Sequence, residues 1–369
     1  MENIRIGMIG GGFIGREHAR SLRLMKPFFG ERVKLVGIAD LNEKMAAEVA
    51  KEFEFEYYTT DPQRVLNDDS INTIFSCVPT IEHEKIVESV TRQGKALFLE
   101  KPFAVSHEIA SKMSAQITQS KIPCQVGFVL RFTPLYHVLR DELQKRGEES
   151  EIMTFILRDD QKFPVGGSEH AHFTSWRGDV KQAGAGVLVE HGIHDIDIVE
   201  WFFGPIKSVK AERKNFAGVP GIEDYIRCEI TFASGLSAVM VHLWHDIEAH
   251  QAIRHFEFFF KKAFITLDGY GNEGFTVRDN SAYHTYNQED VAKRCKQLNF
   301  FPELLHRIDV VPFSDYYAIQ DYAFLKGLLN NEPLEPGMND GFRAYSIVMA
   351  CYHSANNNGI EVNVNSFIV

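Results

Sequence analysis

Short apolar runs alternate with longer amphipathic stretches over the first third of the chain. The runs lie at residues 4–9, 34–39, 73–78 and 96–99. Apolar positions recur at helical spacing after them, most clearly at residues 82–93 and 106–120. Uninterrupted apolar runs are typical of strands buried on both faces, and intervening helices make successive strands parallel. The pattern predicts a parallel sheet covered by helices up to about residue 125.

Beyond Pro123, extended segments follow one another without intervening helices. They lie at residues 152–157, 206–214, 225–232, 236–244, 253–260 and 263–267. Such a succession predicts a second domain with a largely antiparallel sheet. Helical patterns at residues 315–329 and 341–356 close the chain, whereas residues 278–312 are polar and predicted to be irregular.

Two of these extended segments have apolar side chains on both faces. In residues 236–244 both alternating sets are mostly apolar, and residues 255–260 hold four phenylalanines. A sheet with one solvated face would alternate apolar with polar residues. We therefore expect helices on one face and a second subunit over much of the other, giving a homodimer or homotetramer through the C-terminal sheet. The alternative is a sheet buried wholly within one chain.

A glycine-rich turn joins the first apolar run to the first helical pattern. In a dinucleotide fingerprint, the first glycine permits the tight turn and the second lets the backbone approach a pyrophosphate. The third lets helix and strand pack closely. The predicted cofactor loop comprises Gly10, Gly12, Phe13, Ile14 and Gly15.

Asp40 ends the second apolar run, where a carboxylate accepts hydrogen bonds from an adenosine ribose. Leu41 offers no positive charge to a 2′-phosphate, which Asp40 also repels, so the sequence favours NAD over NADP. The expected fold class is α/β. A Rossmann domain with a doubly wound parallel sheet is predicted at residues 1–124, and a C-terminal α+β domain for substrate binding and oligomerisation at residues 125–369. The alternative is a glycine turn followed by an ordinary helix-capping aspartate.

Composition narrows the class of protein. A chain of 369 residues is too long for one ordinary core, which agrees with two domains. The net charge of −11, with dispersed Lys and Arg residues, provides no basic face for nucleic acid or an anionic membrane. Five scattered cysteines without CxxC spacing suit core positions in a reducing compartment. We recognise no signal peptide and no apolar run of membrane-spanning length, so a cytoplasmic protein is expected.

Residues 184–201 begin with small side chains and continue as an amphipathic helix. Glu190, His194 and Asp197 stand at i, i+4 and i+7, which predicts one shared helical face. Burying three ionisable groups is costly unless they are paired or used in chemistry. The alternative is a hydrogen-bonded structural network. His191 lies off this face and is expected to be solvated or to cap the helix.

A metal ion is a further alternative for this cluster. Glu190 and His194 could coordinate one ion together with His170 or His172. The sequence fixes no fourth ligand, and a dinucleotide already supplies redox chemistry, so no metal is predicted.

Lys101 follows the apolar run at residues 96–99, so it lies at the carboxyl edge of the predicted parallel sheet, where open α/β folds bind ligands. The motifs of the chain are the glycine loop, Val78-Pro79-Thr80 with His83, Glu100-Lys101-Pro102, Arg131-Phe132-Thr133-Pro134, Trp176-Arg177, residues 184–201 and residues 350–355. Together they resemble the Gfo/Idh/MocA family of oxidoreductases, which includes inositol dehydrogenases and glucose-fructose oxidoreductase. The resemblance extends over essentially the whole chain.

The resemblance implies that Lys101 orients and polarises the substrate oxygen and that His194 accepts the proton. The other residues predicted for the cofactor are Pro79, His83, Glu100 and Lys101 itself. Those predicted for the substrate, besides Lys101 and His194, are Trp176, Arg177 and Glu190. Two residues depart from the family pattern. Glu190 stands where its dehydrogenases often carry aspartate, and Thr80 stands where asparagine is frequent.

Hydride leaves the carbon of a secondary alcohol only as the hydroxyl proton is removed. We therefore expect His194 to act as general base, Lys101 to stabilise the alkoxide, and Glu190 to orient His194 or bind a neighbouring hydroxyl. Arg131 is either a substrate contact or a structural guanidinium, and the structural role is favoured. The predicted function is NAD-dependent oxidation or reduction of a sugar, inositol or related polyol.

Two other functions remain open. A redox-assisted lyase or glycosidase would use transient oxidation of a sugar. A non-enzymatic dinucleotide-binding regulator belongs to another class, and the presence of both Lys101 and His194 argues against it.

Overall fold

The computed structural model describes residues 1–164, 174–269, 274–307 and 314–368. Its first sheet contains β1 (Ile4–Ile9), β2 (Val33–Ala39), β3 (Tyr57–Thr59), β4 (Thr73–Ser76), β5 (Ala96–Leu99) and β6 (Cys124–Val126). The strands pair in the order β3-β2-β1-β4-β5-β6, and every pair is parallel. The predicted parallel sheet is confirmed. This order places the ligand crevice of such folds where the chain reverses direction, between β1 and β4.

Helices connect the strands of this sheet and continue beyond it. They are α1 (Phe13–Leu24), α2 (Lys26–Phe29), α3 (Glu43–Phe53), α4 (Pro62–Leu66), α5 (His83–Gln93), α6 (His107–Ser120) and α7 (Pro134–Glu149). Among the helices of the described ranges, none has the length and apolarity that a bilayer crossing requires. The sequence pattern predicted neither β6 nor α7. We propose that the first domain ends just after β6, slightly beyond the predicted boundary at residue 124.

The second sheet contains nine strands. They are β7 (Ile152–Lys162), β8 (Ile206–Lys214), β9 (Tyr225–Phe232), β10 (Ser237–His245), β11 (Arg254–Phe260), β12 (Ala263–Asp268), β13 (Phe275–Asp279), β14 (Tyr283–Tyr286) and β15 (Val362–Asn363). Their order is β14-β13-β12-β11-β7-β10-β9-β8-β15. Within the described strands, β7 and β10 form a parallel pair and the other neighbours are antiparallel. The prediction of a large, mainly antiparallel sheet is confirmed.

The remaining helices lie in the sequence between strands of this sheet, two of them between β7 and β8 and the others between β14 and β15. They are α8 (Val180–Ala183), α9 (Ile193–Phe203), α10 (Gln288–Gln297), α11 (Pro302–Leu305), α12 (Tyr316–Asn330) and α13 (Met338–Asn356). The last two helices return to the first sheet, because α12 contacts α1 and β1 while α13 contacts α6 and β6. Helix α13 also contacts β8, so it links the two sheets.

One face of the second sheet is covered by helices. Phe155 and Phe258 are fully buried there and contact Phe203 of α9, with ring centroids 5.2 and 6.0 Å apart. On the opposite face Ile156 is 39% exposed and Val241 is half-buried. The alternative of a sheet buried wholly within one chain is therefore wrong for the residues that the structure describes.

The prediction that residues 278–312 are irregular was wrong over much of that segment. It contains β14, α10 and α11. Helix α10 begins with a capping box in which Asn287 and Asp290 exchange hydrogen bonds, and it buries Val291 and Cys295. Because only one narrow stripe of this helix is apolar, its polar composition concealed the helical period. Residues 308–313 lie outside the described ranges.

All five cysteines are free and buried, as the sequence predicted. They are Cys77, Cys124, Cys228, Cys295 and Cys351.

Candidate active site

The glycine loop connects β1 to α1 at the carboxyl edge of the first sheet. Gly10 has φ +96°, and a Cβ there would lie 2.3 Å from the carbonyl oxygen of Cys77. A Cβ at Gly15 would lie 2.0 Å from the carbonyl oxygen of Gly10. At Gly12 a Cβ would meet nothing within 4 Å, so a ligand can approach this backbone. Helix α1 has no side-chain cap and no acidic residue in its first turn, which leaves N–H groups for a pyrophosphate.

Asp40 follows β2 and holds the glycine loop in place. Its Oδ2 accepts a hydrogen bond from Gly11 N–H at 2.8 Å, and its Oδ1 accepts one from Asn42 N–H at 2.8 Å. Asn42, not Asp40, caps α3, which disfavours the capping alternative. Each carboxylate oxygen has a second lone pair for a ribose hydroxyl. Leu41 is 85% exposed beside it, so the residues present fit NAD.

The other residues predicted for the cofactor lie around this loop. Phe13 is 43% exposed, and Ile14 and Pro79 are half-buried. His83 is buried and donates from Nε2 to the carbonyl oxygen of Val78 at 3.0 Å. Burial lowers the pKa of His83 to about 4, so the ring is neutral and stabilises the turn before Pro79. A direct contact between His83 and the cofactor stays a prediction.

Lys101 lies at the carboxyl end of β5, and its side chain extends to the segment that precedes α9 in the second domain. Its Nζ donates to the backbone carbonyl oxygen of Glu190 at 2.9 Å. Its backbone N–H donates to Glu100 Oε2 at 3.1 Å, so Glu100 contacts the backbone of the lysine. Burial lowers the pKa of Lys101, although the neighbouring charges of Glu190 and Glu100 oppose that shift.

A π-helical turn at Leu188–Gly192 precedes α9, where the sequence predicted a regular helix. Of the three residues predicted to share one helical face, Asp197 is paired outside the group of Glu190 and His194. The Asp197 carboxylate pairs with Arg131 at 2.7 and 2.9 Å, which agrees with a structural role for this arginine. A π turn bonds each residue to the fifth along the chain and changes the angle between successive side chains. Sequence periodicity does not reveal such a turn.

Glu223 anchors the start of this π turn, and the sequence analysis missed it. Its carboxylate accepts hydrogen bonds from Gly186 N–H at 2.9 Å and from Leu188 N–H at 3.1 Å. The hydroxyl of Tyr352 donates to the same carboxylate at 2.7 Å. A Cβ at Gly186 would lie 1.9 Å from the Glu223 carbonyl oxygen. The helix that carries Glu190 is therefore fixed by a carboxylate from the loop before β9.

His194 is 8% exposed, and its Nδ1 has no hydrogen-bond partner in the described part of the chain. Burial holds the pKa of His194 well below its usual value, and the positive charges of Lys101 and Arg254 add to that effect. Imidazole in this position is neutral at pH 7 and can accept a proton.

Arg177 fixes the carboxylate of Glu190. Its Nε donates to Glu190 Oε2 at 2.8 Å, while its Nη1 donates to Thr174 Oγ1 at 2.9 Å. The guanidinium also lies 4.7 Å from the ring centroid of Trp176. Glu190 Oε1 is buried without a partner among the described residues. The structure therefore brings together Lys101, Glu190, Arg177 and Trp176.

His191 is neither solvated nor a helix cap, contrary to expectation. It is half-buried, and its Nδ1 accepts a hydrogen bond from the indole Nε1–H of Trp244 at 2.8 Å. The partner lies in β10, 53 positions away in sequence, so local pattern could not identify it.

The metal alternative for Glu190 and His194 relied on His170 or His172, which lie outside the described residues. Two cationic groups already contact Glu190, because Arg177 binds its carboxylate and Lys101 binds its carbonyl oxygen. A metal cation here would be repelled by both.

A second group of potential ligands lies at the end of β7. Side-chain atoms of Asp160, His245 and His250 come within 4.8 Å of one another. His245 Nδ1 accepts a hydrogen bond from Ile247 N–H at 3.1 Å, so neutral His245 carries its proton on Nε2, the nitrogen that faces Asp160. A protonated nitrogen has no lone pair for a metal ion. We interpret the group as a hydrogen-bonded support for the loop between β10 and β11.

Two family sequence profiles match the chain. Residues 4–128 match "Oxidoreductase family, NAD-binding Rossmann fold", and residues 142–265 match "GFO/IDH/MocA C-terminal domain". The chain belongs to the Gfo/Idh/MocA family. The resemblance inferred from the motifs is confirmed, and the glycine loop lies in the NAD-binding domain of this Gfo/Idh/MocA protein.

Individual relatives agree with this assignment. Levoglucosan dehydrogenase from Pseudarthrobacter phenanthrenivorans is 30% identical over 220 residues, which cover 57% of this chain and 54% of that protein. The chain therefore spans about half the length of this relative in the alignment. Inositol 2-dehydrogenase from Rhizobium meliloti is 24% identical over 359 residues, covering 95% and 96% of the two chains.

The fold is shared with a solved relative. Levoglucosan dehydrogenase in complex with NADH and levoglucosan superposes with a TM-score of 0.82 at 22% identity, covering 98% of this chain and 99% of that one.

Asp40 and Leu41 provide a test of cofactor choice. Asp40→Ser combined with Leu41→Arg removes a hydroxyl acceptor and supplies a cation for a 2′-phosphate. We expect NAD binding to weaken by about 10-fold or more and NADP binding to improve, in line with one lost charge-assisted hydrogen bond. Fluorescence titration with both dinucleotides measures this, with Leu41→Ala as the control. Equal affinity of the wild type for NAD and NADP would contradict the assignment.

Proposed function

We propose that this protein is an NAD-dependent dehydrogenase that transfers hydride between nicotinamide and a secondary alcohol carbon of a sugar, inositol or related polyol. The observation that carries the proposal is the convergence of Lys101, Glu190 and His194 beside a sheet of dinucleotide-binding order. The names of its relatives, levoglucosan dehydrogenase and inositol 2-dehydrogenase, support a polyol substrate.

Bound NAD would supply the hydride acceptor. Residues of the chain remove the proton and stabilise the negative charge that develops on the substrate oxygen. Neutral His194 takes the hydroxyl proton as general base. The ammonium of Lys101 has three N–H donors, one of which is directed to the Glu190 carbonyl oxygen. The others are available to the substrate oxygen, where they stabilise alkoxide charge in a site with little water.

Glu190 selects the neighbouring hydroxyl in this mechanism. Its Oε2 is held by Arg177, and its buried Oε1 lacks a partner among the described residues. An unpaired buried acceptor is costly unless a ligand donates to it. A second hydroxyl next to the reacting carbon would satisfy it, so the arrangement favours a vicinal diol of a sugar or cyclitol. Trp176 offers an apolar ring face for the C–H groups of such a substrate.

We also propose that the protein is a cytoplasmic homo-oligomer that assembles through the open face of the second sheet. Exposed Ile156 and half-buried Val241 on that face support the interface, because a solvated face would carry polar residues. Five free cysteines support the reducing location.

Removal of the lysine or the histidine tests the mechanism. Lys101→Ala should abolish turnover while NAD affinity stays within a few-fold, and His194→Ala should lose on the order of 10²–10⁴ in rate, the usual contribution of one acid–base group. Lys85→Ala, whose side chain is 73% exposed, serves as control. Steady-state kinetics on inositols, levoglucosan and hexoses should be paired with NAD titrations. Near-normal turnover by Lys101→Ala would refute the mechanism. If the wild type binds NAD and oxidises no polyol, the regulator alternative takes its place.

The pH profile of polyol oxidation tests the protonation states. Burial lowers the pKa of His194 below its ordinary value of about 6.5. The imidazole is therefore still neutral when the pH reaches that value. The rate should therefore fall only below that pH, and this acid limb should be missing from His194→Ala. Since the pKa of Lys101 is also lowered, a basic limb should begin below its ordinary value of about 10.4. An acid limb above pH 7 in kcat/KM would contradict the role of His194.

The assembly proposal is tested by charging the open face. Ile156→Lys should shift a dimer or tetramer toward monomer in sedimentation velocity at micromolar concentration. Phe216→Lys, at a residue that is 72% exposed between β8 and β9, should leave the assembly unchanged. A wild type that is monomeric under these conditions would overturn the proposal.

A further inference from the structure

A buried histidine lies behind Lys101 and links three elements of the fold. His18 of α1 is fully buried, and its Nε2 lies 3.0 Å from Glu100 Oε1, at the end of β5. Its Nδ1 lies 2.9 and 3.1 Å from the two carboxylate oxygens of Asp321 in α12. The imidazole packs edge-on against Phe98, with ring centroids 4.8 Å apart.

The number of protons in this group follows from its geometry. A neutral imidazole has one N–H and can donate in only one direction, yet both nitrogens of His18 face carboxylate oxygens. Two protons must therefore be shared by the three groups. Burial by itself lowers the pKa of His18, but Asp321 and Glu100 outweigh burial and raise it to about 10. Burial raises the pKa of Asp321 to about 6, so an imidazolium between two carboxylates is present at neutral pH.

Two further titratable groups lie against this cluster. The ring of Tyr317 lies 5.9 Å from that of His18, and Cys77 interacts with the charges of Glu100 and Asp321. Burial raises the pKa of both the phenol and the thiol well above their usual values, so both are neutral. Neither changes the proton count of the cluster.

The other side of Glu100 faces the proposed catalytic lysine. Glu100 Oε2 accepts the hydrogen bond from Lys101 N–H at 3.1 Å, while Oε1 is held by His18. Gly127 packs against the same carboxylate so closely that a Cβ there would lie 2.4 Å from Oε1. The Glu100 carboxylate is therefore packed against Gly127 and held at both oxygens, Oε1 by His18 and Oε2 by the Lys101 N–H.

We infer that His18 is a positioning residue: bridging Asp321 and Glu100, it fixes the carboxylate that orients the backbone of Lys101 and so directs the ammonium into the site. The part of this inference that concerns turnover rests on the proposed function. It also gives α12 a part in aligning the site, because Asp321 holds the far side of the bridge.

The first test needs neither cofactor nor turnover. In 15N-histidine NMR of the cofactor-free protein, the signal lost in His18→Gln should show both ring nitrogens protonated at pH 8. In Asp321→Asn the same ring should become neutral with its proton on Nε2. A ring that is neutral at pH 8 in the wild type, or one that stays charged in Asp321→Asn, would overturn the inference.

The second test reads the lysine directly. With 15N-lysine labelling, the Lys101 amide signal, identified by its loss in Lys101→Arg, should move in His18→Leu and return toward the wild-type position in His18→Gln. Gln supplies an N–H to Glu100 and Leu does not. Ser21→Ala, at a buried position of the same helix, should leave the signal in place. An unmoved Lys101 signal in His18→Leu would refute the positioning role of His18, and this result does not depend on which substrate the enzyme uses.

Kinetics complete the test. His18→Leu should lose on the order of 10²-fold in kcat, the cost of misplacing a catalytic group by about an ångström, with little change in polyol KM. His18→Gln should recover most of the rate, and Ser21→Ala should match the wild type. If His18→Leu does not fold, the 15N-histidine spectrum of Asp321→Asn decides, because the inference requires its ring to be neutral and to keep donating from Nε2 to Glu100. Absence of polyol oxidation by the wild type would refute the proposed function only, and the NMR results would still decide the role of His18.

Discussion

The hydrogen bond from the Lys101 ammonium to the Glu190 carbonyl oxygen joins the two parts of the candidate site. Lys101 lies at the end of β5, at the edge of the parallel sheet where the dinucleotide crevice is located. Glu190 lies in the π turn that leads into α9. An ammonium that has lost much of its hydration is stable only if its donors are used. The carbonyl oxygen uses one donor, and under the proposed function the substrate uses the others. The backbone contacts of Glu100 with Lys101 and of Glu223 with the start of the π turn hold the two ends of this bond.

Buried charge networks lie on both sides of that bond. On the dinucleotide side, His18 bridges Glu100 and Asp321. On the substrate side, Arg254 pairs with Asp195 at 2.7 Å, next to His194 in sequence, and with Asp159 at 3.0 Å. Such networks cost desolvation and contribute little net stability compared with apolar packing. What they provide here is fixed electrostatics around a lysine and a histidine whose pKa values are both lowered.

Local patterns in the sequence predicted the parts of the molecule that depend on local physics. Strands β1, β5, β8 and β9 have the predicted bounds because each is a short apolar or alternating run, and the glycine loop has a fixed spacing. The partners of the site residues were not predictable in this way. His18 and Asp321 are 303 positions apart, and Trp244 reaches His191 over 53 positions. The sequence around a charged residue does not indicate which distant residue it pairs with, so only the completed fold identifies the partner.

Because of the π turn at Leu188–Gly192, the position of the Glu190 side chain depends on the number of residues in this segment. Such a turn has the geometric effect of one residue inserted into an α-helix. Since an α-helix rotates by roughly 100° per residue, deleting one residue here would restore a regular helix and swing Glu190 away from Arg177 while His194 stayed in place. Insertions and deletions in this short segment are therefore a route, separate from side-chain replacement, by which the position of this carboxylate in the site can change.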